Sequence, residues 1–290
     1  MLLGAIEAGG TKFVCATGAE NGQVSDRISI PTTTPVETMT AVDDYFTTHP
    51  VDAIGIGSFG PIGVNPDDPK YGYITTTPKP GWGDFDFLGH LKSQFNIPLY
   101  WTTDVNEAAY GESMIGIAKD VPNSIYMTIG TGVGAGVISH SQNHIFNGRT
   151  HTELGHMRLN RLPGDDFKSN CPYHDICLEG LAAGPAVGKR TGKAGKDIPV
   201  DDPVWPIIAD YIAQACVNLT VAFAPDKIIL NGGVMNQRQL FPMIREKFAA
   251  YLNGYEEVPS LDDYIVPAGL GNNSGIAGGL LLAQAALKNA

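Results

Sequence analysis

The sequence predicts an α/β protein of two lobes with a cleft between them. Two observations lead there. A strand, a glycine turn and a second strand occur near residue 10 and again near residue 131, and strands and helices alternate after each copy. The composition lets each half bury a core, since 43% of the 290 residues are hydrophobic and only 17% charged. The two copies are too far apart and too unlike to be units of a short-period repeat. Two packed lobes leave a cleft, the usual place for a small ligand.

In chain order, residues 2–8 form an apolar strand ending at Gly9-Gly10, and 12–17 and 24–30 are further strands. Helical periodicity covers 36–48, 53–58 is a buried strand, 73–76 is extended and 85–95 is helical. Strand 99–103 gives way at Asp104 to a helix over 105–119. The pattern then restarts with strand 124–129, the turn Gly130-Thr131-Gly132 and strand 134–140. An irregular stretch containing Pro163, Gly164, Pro172 and His174 follows. Helices over 202–223, interrupted near Pro206, and 236–252 flank strand 227–231, and an apolar helix over 275–288 closes the chain. The expected division is an N-terminal lobe of residues 1–110 joined by 275–290, and a C-terminal lobe of 111–274, with a hinge near 104–120.

Nineteen Lys and Arg against thirty Asp and Glu leave a net charge of −11, which disfavours a nucleic-acid partner. The first residues lack the basic lead of a signal peptide, and the apolar run 275–283 is far short of the roughly 20 residues that span a bilayer. Four cysteines in a chain this long are no disulfide scaffold. A cytoplasmic protein without a membrane partner is expected.

The run Gly4 to Lys12 is not a Walker loop, because Gly-Thr-Lys leads into a strand where that motif needs Gly-Lys-Ser/Thr and a helix. A glycine hairpin still offers backbone N–H groups to an anion, with the Thr11 hydroxyl and the Lys12 charge beside Gly9 and Gly10. An ordinary hairpin is the alternative. The turn with Gly130, Thr131, Gly132 and Gly134 is denser in glycine and points to a phosphate or sugar contact, or else to close strand packing. Gly232-Gly233 sits between a strand and a helix, as a nucleotide crevice or a plain βα turn. Asp104 lies at a strand's carboxyl end, where cleft residues concentrate, although Asp there also caps helices. Glu107 and Glu112 read as helix-face carboxylates. Cys171, His174 and Cys177 bring three ligands within seven residues, and His156 can complete a tetrahedral, closed and hence structural zinc site. Cys15 and Cys216 fall in apolar patterns and read as core residues.

Taken in order, Glu-Ala-Gly-Gly-Thr-Lys, Gly-Pro, Asp-x-Asn, Gly-Thr-Gly-x-Gly, Glu-x-Gly-His and the Cys/His cluster resemble the ROK family of sugar kinases, and within it the bacterial fructokinases. The resemblance runs from Gly4 to about Leu282. It implies an actin-like, two-lobed ATPase fold of the ribonuclease H-like kind, with ATP, magnesium and sugar meeting in the cleft and zinc holding a loop. On the matching positions, Gly9, Gly10, Thr11 and Lys12 take the first phosphate motif, and Gly130, Thr131, Gly132 and Gly134 the second. Gly232 and Gly233 fall on the adenosine side, Asp104 on the catalytic base, and Thr103, Asp104, Glu153, His156 and Glu179 on the sugar side. His156, Cys171, His174 and Cys177 match the zinc ligands. Glu7 stands where many relatives carry Asp, Thr103 where many carry Asn, and His174 where a cysteine is usual; these departures resemble the fructokinase branch. The implied reaction is transfer of the γ-phosphoryl of ATP to the 6-hydroxyl of D-fructose, and apolar helices such as 207–223 lead us to expect a homodimer. The alternatives are a ROK kinase for glucose, mannose or N-acetylmannosamine, and a non-catalytic sugar-binding or regulatory protein. The repressor branch carries an N-terminal helix-turn-helix, whereas the phosphate motif here begins at Glu7.

Overall fold

The computed structural model describes residues 1–139 and 144–289 and contains two five-stranded sheets of the same strand order. His140, expected to end strand 134–140, and Ala290, expected in the last helix, lie outside the described residues.

In the first half, β1 (Leu3–Ala8), β2 (Lys12–Gly18) and β3 (Val24–Pro31) form an antiparallel meander. Helix α1 (Pro35–Thr48) begins with a capping box, in which the Thr34 hydroxyl accepts the Glu37 N–H and the Glu37 carboxylate accepts that of Thr34. It returns the chain so that β4 (Ala53–Ser58) pairs parallel with β1. The ribbon β5 (Tyr73–Ile74) and β6 (Phe85–Asp86) precedes α2 (Phe87–Gln94), and β7 (Leu99–Thr103) then pairs parallel with β4. The order is β3-β2-β1-β4-β7. Helix α3 (Asp104–Met114) leaves the carboxyl end of β7.

The second half repeats this plan. β8 (Asn123–Ile129), β9 (Val133–Ser139) and β10 (His144–Ile145) are antiparallel. After α4 (Leu178–Ala182), α5 (Gly184–Thr191) and α6 (Val204–Phe223), β11 (Lys227–Asn231) joins β8 in parallel. Helices α7 (Leu240–Leu252) and α8 (Leu261–Tyr264) lead to β12 (Ile265–Pro267), parallel to β11, giving the order β10-β9-β8-β11-β12. Helix α9 (Ser274–Lys288) then packs on β1, β4 and α3, where Ile276, Leu280 and Ala283 close a core with Leu3, Ala5 and Ala53.

Several elements differ from the sequence expectation. The stretch 85–95 divides into β6 and α2 because Asp86 caps the helix, accepting the Gly89 N–H at 2.9 Å. Helix α3 stops at Met114, five residues before the expected end at 119. Helix α6 runs through Pro206 without a break, since a proline in the first turn removes an N–H that has no intrahelical acceptor. This helix is long and apolar enough to cross a membrane, yet Trp205, Ile208, Ile212, Cys216 and Leu219 pack into the second core. The stretch expected to be irregular contains α4 and α5.

Strand register sets the site. Ala8 lies opposite Ser58, and Ser58 opposite Thr103, so the Gly9-Gly10 turn and Asp104 leave the same carboxyl edge of the first sheet. Helix α3 reaches this position by crossing α9 at backbone contact: a Cβ on Gly278 would stand 1.8 Å from the Glu107 carbonyl oxygen, and one on Gly111 2.4 Å from that of Ser274. Gly278→Ala should therefore lower stability by about 3 kcal/mol, read by thermal or denaturant unfolding. Gly233→Ala, in open space with φ −58°, should change it by less than about 0.5 kcal/mol.

Candidate active site

At the first turn the carbonyl oxygens are occupied. Phe59 N–H reaches that of Ala8, the Thr32 hydroxyl that of Gly9 at 2.7 Å, the Lys79 ammonium that of Gly10, Thr32 N–H that of Thr11, and Gly9 N–H that of Lys12. Among the described residues no partner takes the N–H groups of Gly10 and Thr11. The turn thus has its acceptors covered and two donors free, the polarity an anion requires. Lys12 is exposed at the start of β2.

The second turn is arranged alike. Gly130 N–H closes on the Gly132 carbonyl at 2.9 Å, and the Gly130 carbonyl accepts the N–H of Gly184 at the start of α5 at 2.8 Å. The N–H groups of Thr131 and Gly132 have no partner among the described residues. Gly232, at φ +96°, packs so tightly on the end of β8 that a Cβ would meet the Ile129 carbonyl oxygen at 2.5 Å, whereas Gly233 is open and its nitrogen faces Gly130. Gly134 departs from the phosphate assignment, for it lies within β9 against α3, where a Cβ would stand 2.8 Å from Val105 Cγ1. Its missing side chain admits the helix.

Asp104 is the first residue of α3, and the cap is Thr103, whose hydroxyl accepts the Asn106 N–H at 3.2 Å. Thr103, expected to bind sugar, is only 4% exposed, and its hydroxyl oxygen caps the helix. Asp104 itself is half-buried and accepts the Val105 N–H at 2.8 Å. Burial pushes its carboxyl up to about 7, with the charges of Glu7 and Glu153 adding to the shift. Glu7 is also raised, by burial and against the pull of Lys12, and it packs on Gly275 in the first turn of α9. The two expected helix-face carboxylates are both fully buried. Glu112 accepts the N–H groups of Ile117, Gly269 and Leu270 and the Ser274 hydroxyl. Glu107 lies against Gly57 and Gly279; the Gly57 N–H faces it, but neither oxygen reaches hydrogen-bond geometry.

The Cys/His cluster assembles. The ligand atoms of His156, Cys171, His174 and Cys177 all lie within 4.8 Å of one another. Cys171 Sγ is 3.7 Å from His156 Nδ1 and 3.6 Å from His174 Nδ1, and Cys177 Sγ is 3.8 Å from His156 Nδ1. A tetrahedral zinc with bonds of ~2.3 Å to sulfur and ~2.0 Å to nitrogen has edges of about 3.5 Å, so the donor set fits that ion. The other nitrogen of His156, Nε2, is 3.9 Å from Glu179 Oε1, while Glu179 Oε2 accepts the Val133 N–H at 2.9 Å. Glu179, expected on the sugar side, thereby links the cluster to the second turn.

Three features escape the sequence reading. His151 bridges the Ile62 carbonyl and the Glu153 carboxylate at 3.2 and 2.8 Å. Its signal was present: His-Thr-Glu puts both side chains on one face of an extended segment. Lys79 on Gly10 is the second. The third is the brace of the cluster's loop, where Arg190 pairs with both oxygens of Asp165 at 2.7 and 2.8 Å and Arg161 binds the carbonyls of Asp165, Phe167 and Asp175. The Arg190 guanidinium holds the Asp165 carboxyl down at about 2.

Twin sheets with a glycine turn at each carboxyl edge define the class, a two-lobed, actin-like ATPase fold. Residues 3–286 match the ROK family, and the chain belongs to it. It is 98% identical over 290 residues, the whole of both chains, to a fructokinase of Pediococcus pentosaceus. The crystal structure of a ROK hexokinase from Thermus thermophilus superposes with a TM-score of 0.83 at 25% identity, covering all of both chains. A ROK glucokinase from Streptomyces griseus, in complex with glucose and AMPPNP, gives 0.78 at 24% identity over 98% of this chain and 100% of that one.

A proton acceptor at Asp104 works only when ionised. With its carboxyl at about 7, kcat/KM should fall as pH drops through that value, approaching tenfold per unit below about pH 6. Glu7→Gln removes a charge that raises the group, so the acid limb should move to lower pH; a pH–rate profile of both proteins checks the shift.

Proposed function

We propose that this protein transfers the γ-phosphoryl group of ATP to the 6-hydroxyl of D-fructose, giving fructose 6-phosphate and ADP. Asp104 carries the reading: an ionisable carboxyl near neutrality, on the strand edge that also bears the first glycine turn. Near-identity to the Pediococcus fructokinase supplies the sugar.

Asp104 orients the 6-hydroxyl and accepts its proton as the oxygen attacks the γ-phosphorus and the bond to the β-phosphate oxygen breaks. The free N–H groups of Gly10 and Thr11, the Thr11 hydroxyl and Lys12 hold phosphate oxygens from one side, and Thr131 and Gly132 from the other. Gly9 and Gly130 shape the two turns, and Gly232 and Gly233 line the adenosine side. Positioning and electrostatics dominate such phosphoryl transfer. Magnesium bound with ATP would neutralise phosphate charge, and Glu7 is the carboxylate on this edge that would orient it. Glu153, His156 and Glu179 face the sugar. His156, Cys171, His174 and Cys177 would hold zinc, which when bound cross-links the loop that carries them. The lobes are 1–110 with 275–290, and 111–274; closing them excludes water. Cys171 and Cys177 are not joined in a disulfide, which suits the cytoplasm, where ATP is also available. The exposed apolar Val221 near the end of α6, and the exposed Phe146 after β10, whose ring lies 6.0 Å from that of Phe223, support a homodimer.

The test is ADP release with fructose, glucose, mannose and N-acetylmannosamine, each alone. Fructose should give the highest kcat/KM; preference for another sugar overturns the substrate, and silence with all four overturns the kinase. Asp104→Asn should lower kcat about a thousandfold while leaving fructose and ATP affinities within about threefold by calorimetry. Elemental analysis should find about one zinc per chain, and Cys171→Ser should lose it, lower the melting temperature and reduce turnover.

A further inference from the structure

His151 sits where two distant segments meet. Its side chain is only 9% exposed, and its ring covers Gly60, where a Cβ would come within 3.4 Å of Nε2. Nδ1 faces the Ile62 carbonyl, 89 residues away in sequence, and Nε2 faces Glu153 Oε1. The Ile62 side is a firm anchor. The Pro61 carbonyl takes the N–H and hydroxyl of Thr75, the Gly63 carbonyl takes the Trp101 indole N–H at 2.8 Å, and Gly63 N–H binds the Tyr73 carbonyl. Glu153 is different. Its side chain is 49% exposed, His151 is its one side-chain partner among the described residues, and its charge is felt by Asp104.

Both groups that face the ring are acceptors. A neutral imidazole carries one N–H and would set its bare nitrogen against the second acceptor, so both contacts are hydrogen bonds only when each nitrogen bears a proton. In that form the ring also offsets the Glu153 charge.

We propose that His151 is a positioning residue for the acceptor sugar: it ties one Glu153 oxygen to the fixed backbone at Ile62, so that the other oxygen is presented to a sugar hydroxyl. This rests on the reading of Glu153 as a sugar-side residue. Glu153 is a flexible carboxylate, and holding it beforehand removes the entropy loss that ordering it on binding would incur.

The experiment is steady-state kinetics for fructose and ATP on the wild type, His151→Gln, Glu153→Gln and the double variant. His151→Gln should raise KM for fructose about tenfold, the loss of one hydrogen bond to a charged group, with KM for ATP within about twofold and kcat within about threefold. Because His151 acts through Glu153, the double variant should be no worse than Glu153→Gln alone. His151→Asn, shorter than the ring, should give the same split and guards against a folding defect peculiar to Gln. An unchanged fructose KM, equal losses for both substrates, or effects that add in full in the double variant overturn the proposal. Failure of the kinase reading is separate, because it silences the wild type; fructose affinity by calorimetry then reads the same cycle.

Discussion

The crossing of α3 over α9 is the contact on which the rest of the molecule depends. It is made backbone to backbone, and it works because Gly111 and Gly278 stand where any side chain would collide with a carbonyl oxygen. The opposite face of α3 meets β9 through Gly134 and Gly136. Held on both sides, one short helix joins the two sheets, and its first residue is Asp104. A carboxylate at the start of a helix so confined has little freedom to move, which suits the proton-accepting role proposed for it. The same edge presents the first turn through plain strand register.

Electrostatics follow from this packing. Four carboxylates gather around α3, and the structure treats them differently. Glu112 is completely satisfied by three N–H groups and a hydroxyl, so burial is compensated and the group joins α3 to the segment before α9. Glu107 has only the Gly57 N–H turned toward it, short of hydrogen-bond geometry; burial first, then Glu7 and Asp104, push it well above the ordinary range and favour its neutral form. Asp104, nearer the cleft, is raised only to about 7. A neutral Glu107 beneath it spares Asp104 a further repulsion. Across the cleft, Glu179 connects the metal-ligand cluster to the second turn through His156 on one oxygen and Val133 on the other. A shift of the Cys/His cluster would reach the second turn through that carboxylate.

What the sequence made legible was local. The glycine turns, the Cys/His cluster and Asp104 at a strand end are each contained in a few residues, and the recurrence of strand, turn and strand gave the twin sheets. Relations between distant segments were not legible. Glu112 looks like any helix carboxylate until Gly269 and Leu270, more than 150 residues on, bring their N–H groups to it. Thr103, not Asp104, caps α3, because a helix start is fixed by backbone angles that one residue of sequence does not reveal. Gly134 belongs to a phosphate motif by pattern and to the α3 contact by geometry. Short pieces such as β10, α8 and β12 have too few residues to show any period.

Helix α9 carries a consequence for how the chain is made. The first sheet leaves the ribosome early, yet the face formed by Leu3, Ala5 and Ala53 is covered by Ile276, Leu280 and Ala283 from the last helix. Until α9 emerges that apolar face stays open, and α3 has no partner for its glycine crossing. The N-terminal half therefore cannot mature before α9 has been made, because α9 completes its core. A nascent or C-terminally clipped chain exposes a sticky sheet rather than a smaller folded domain, which makes it a natural client for chaperones and proteases.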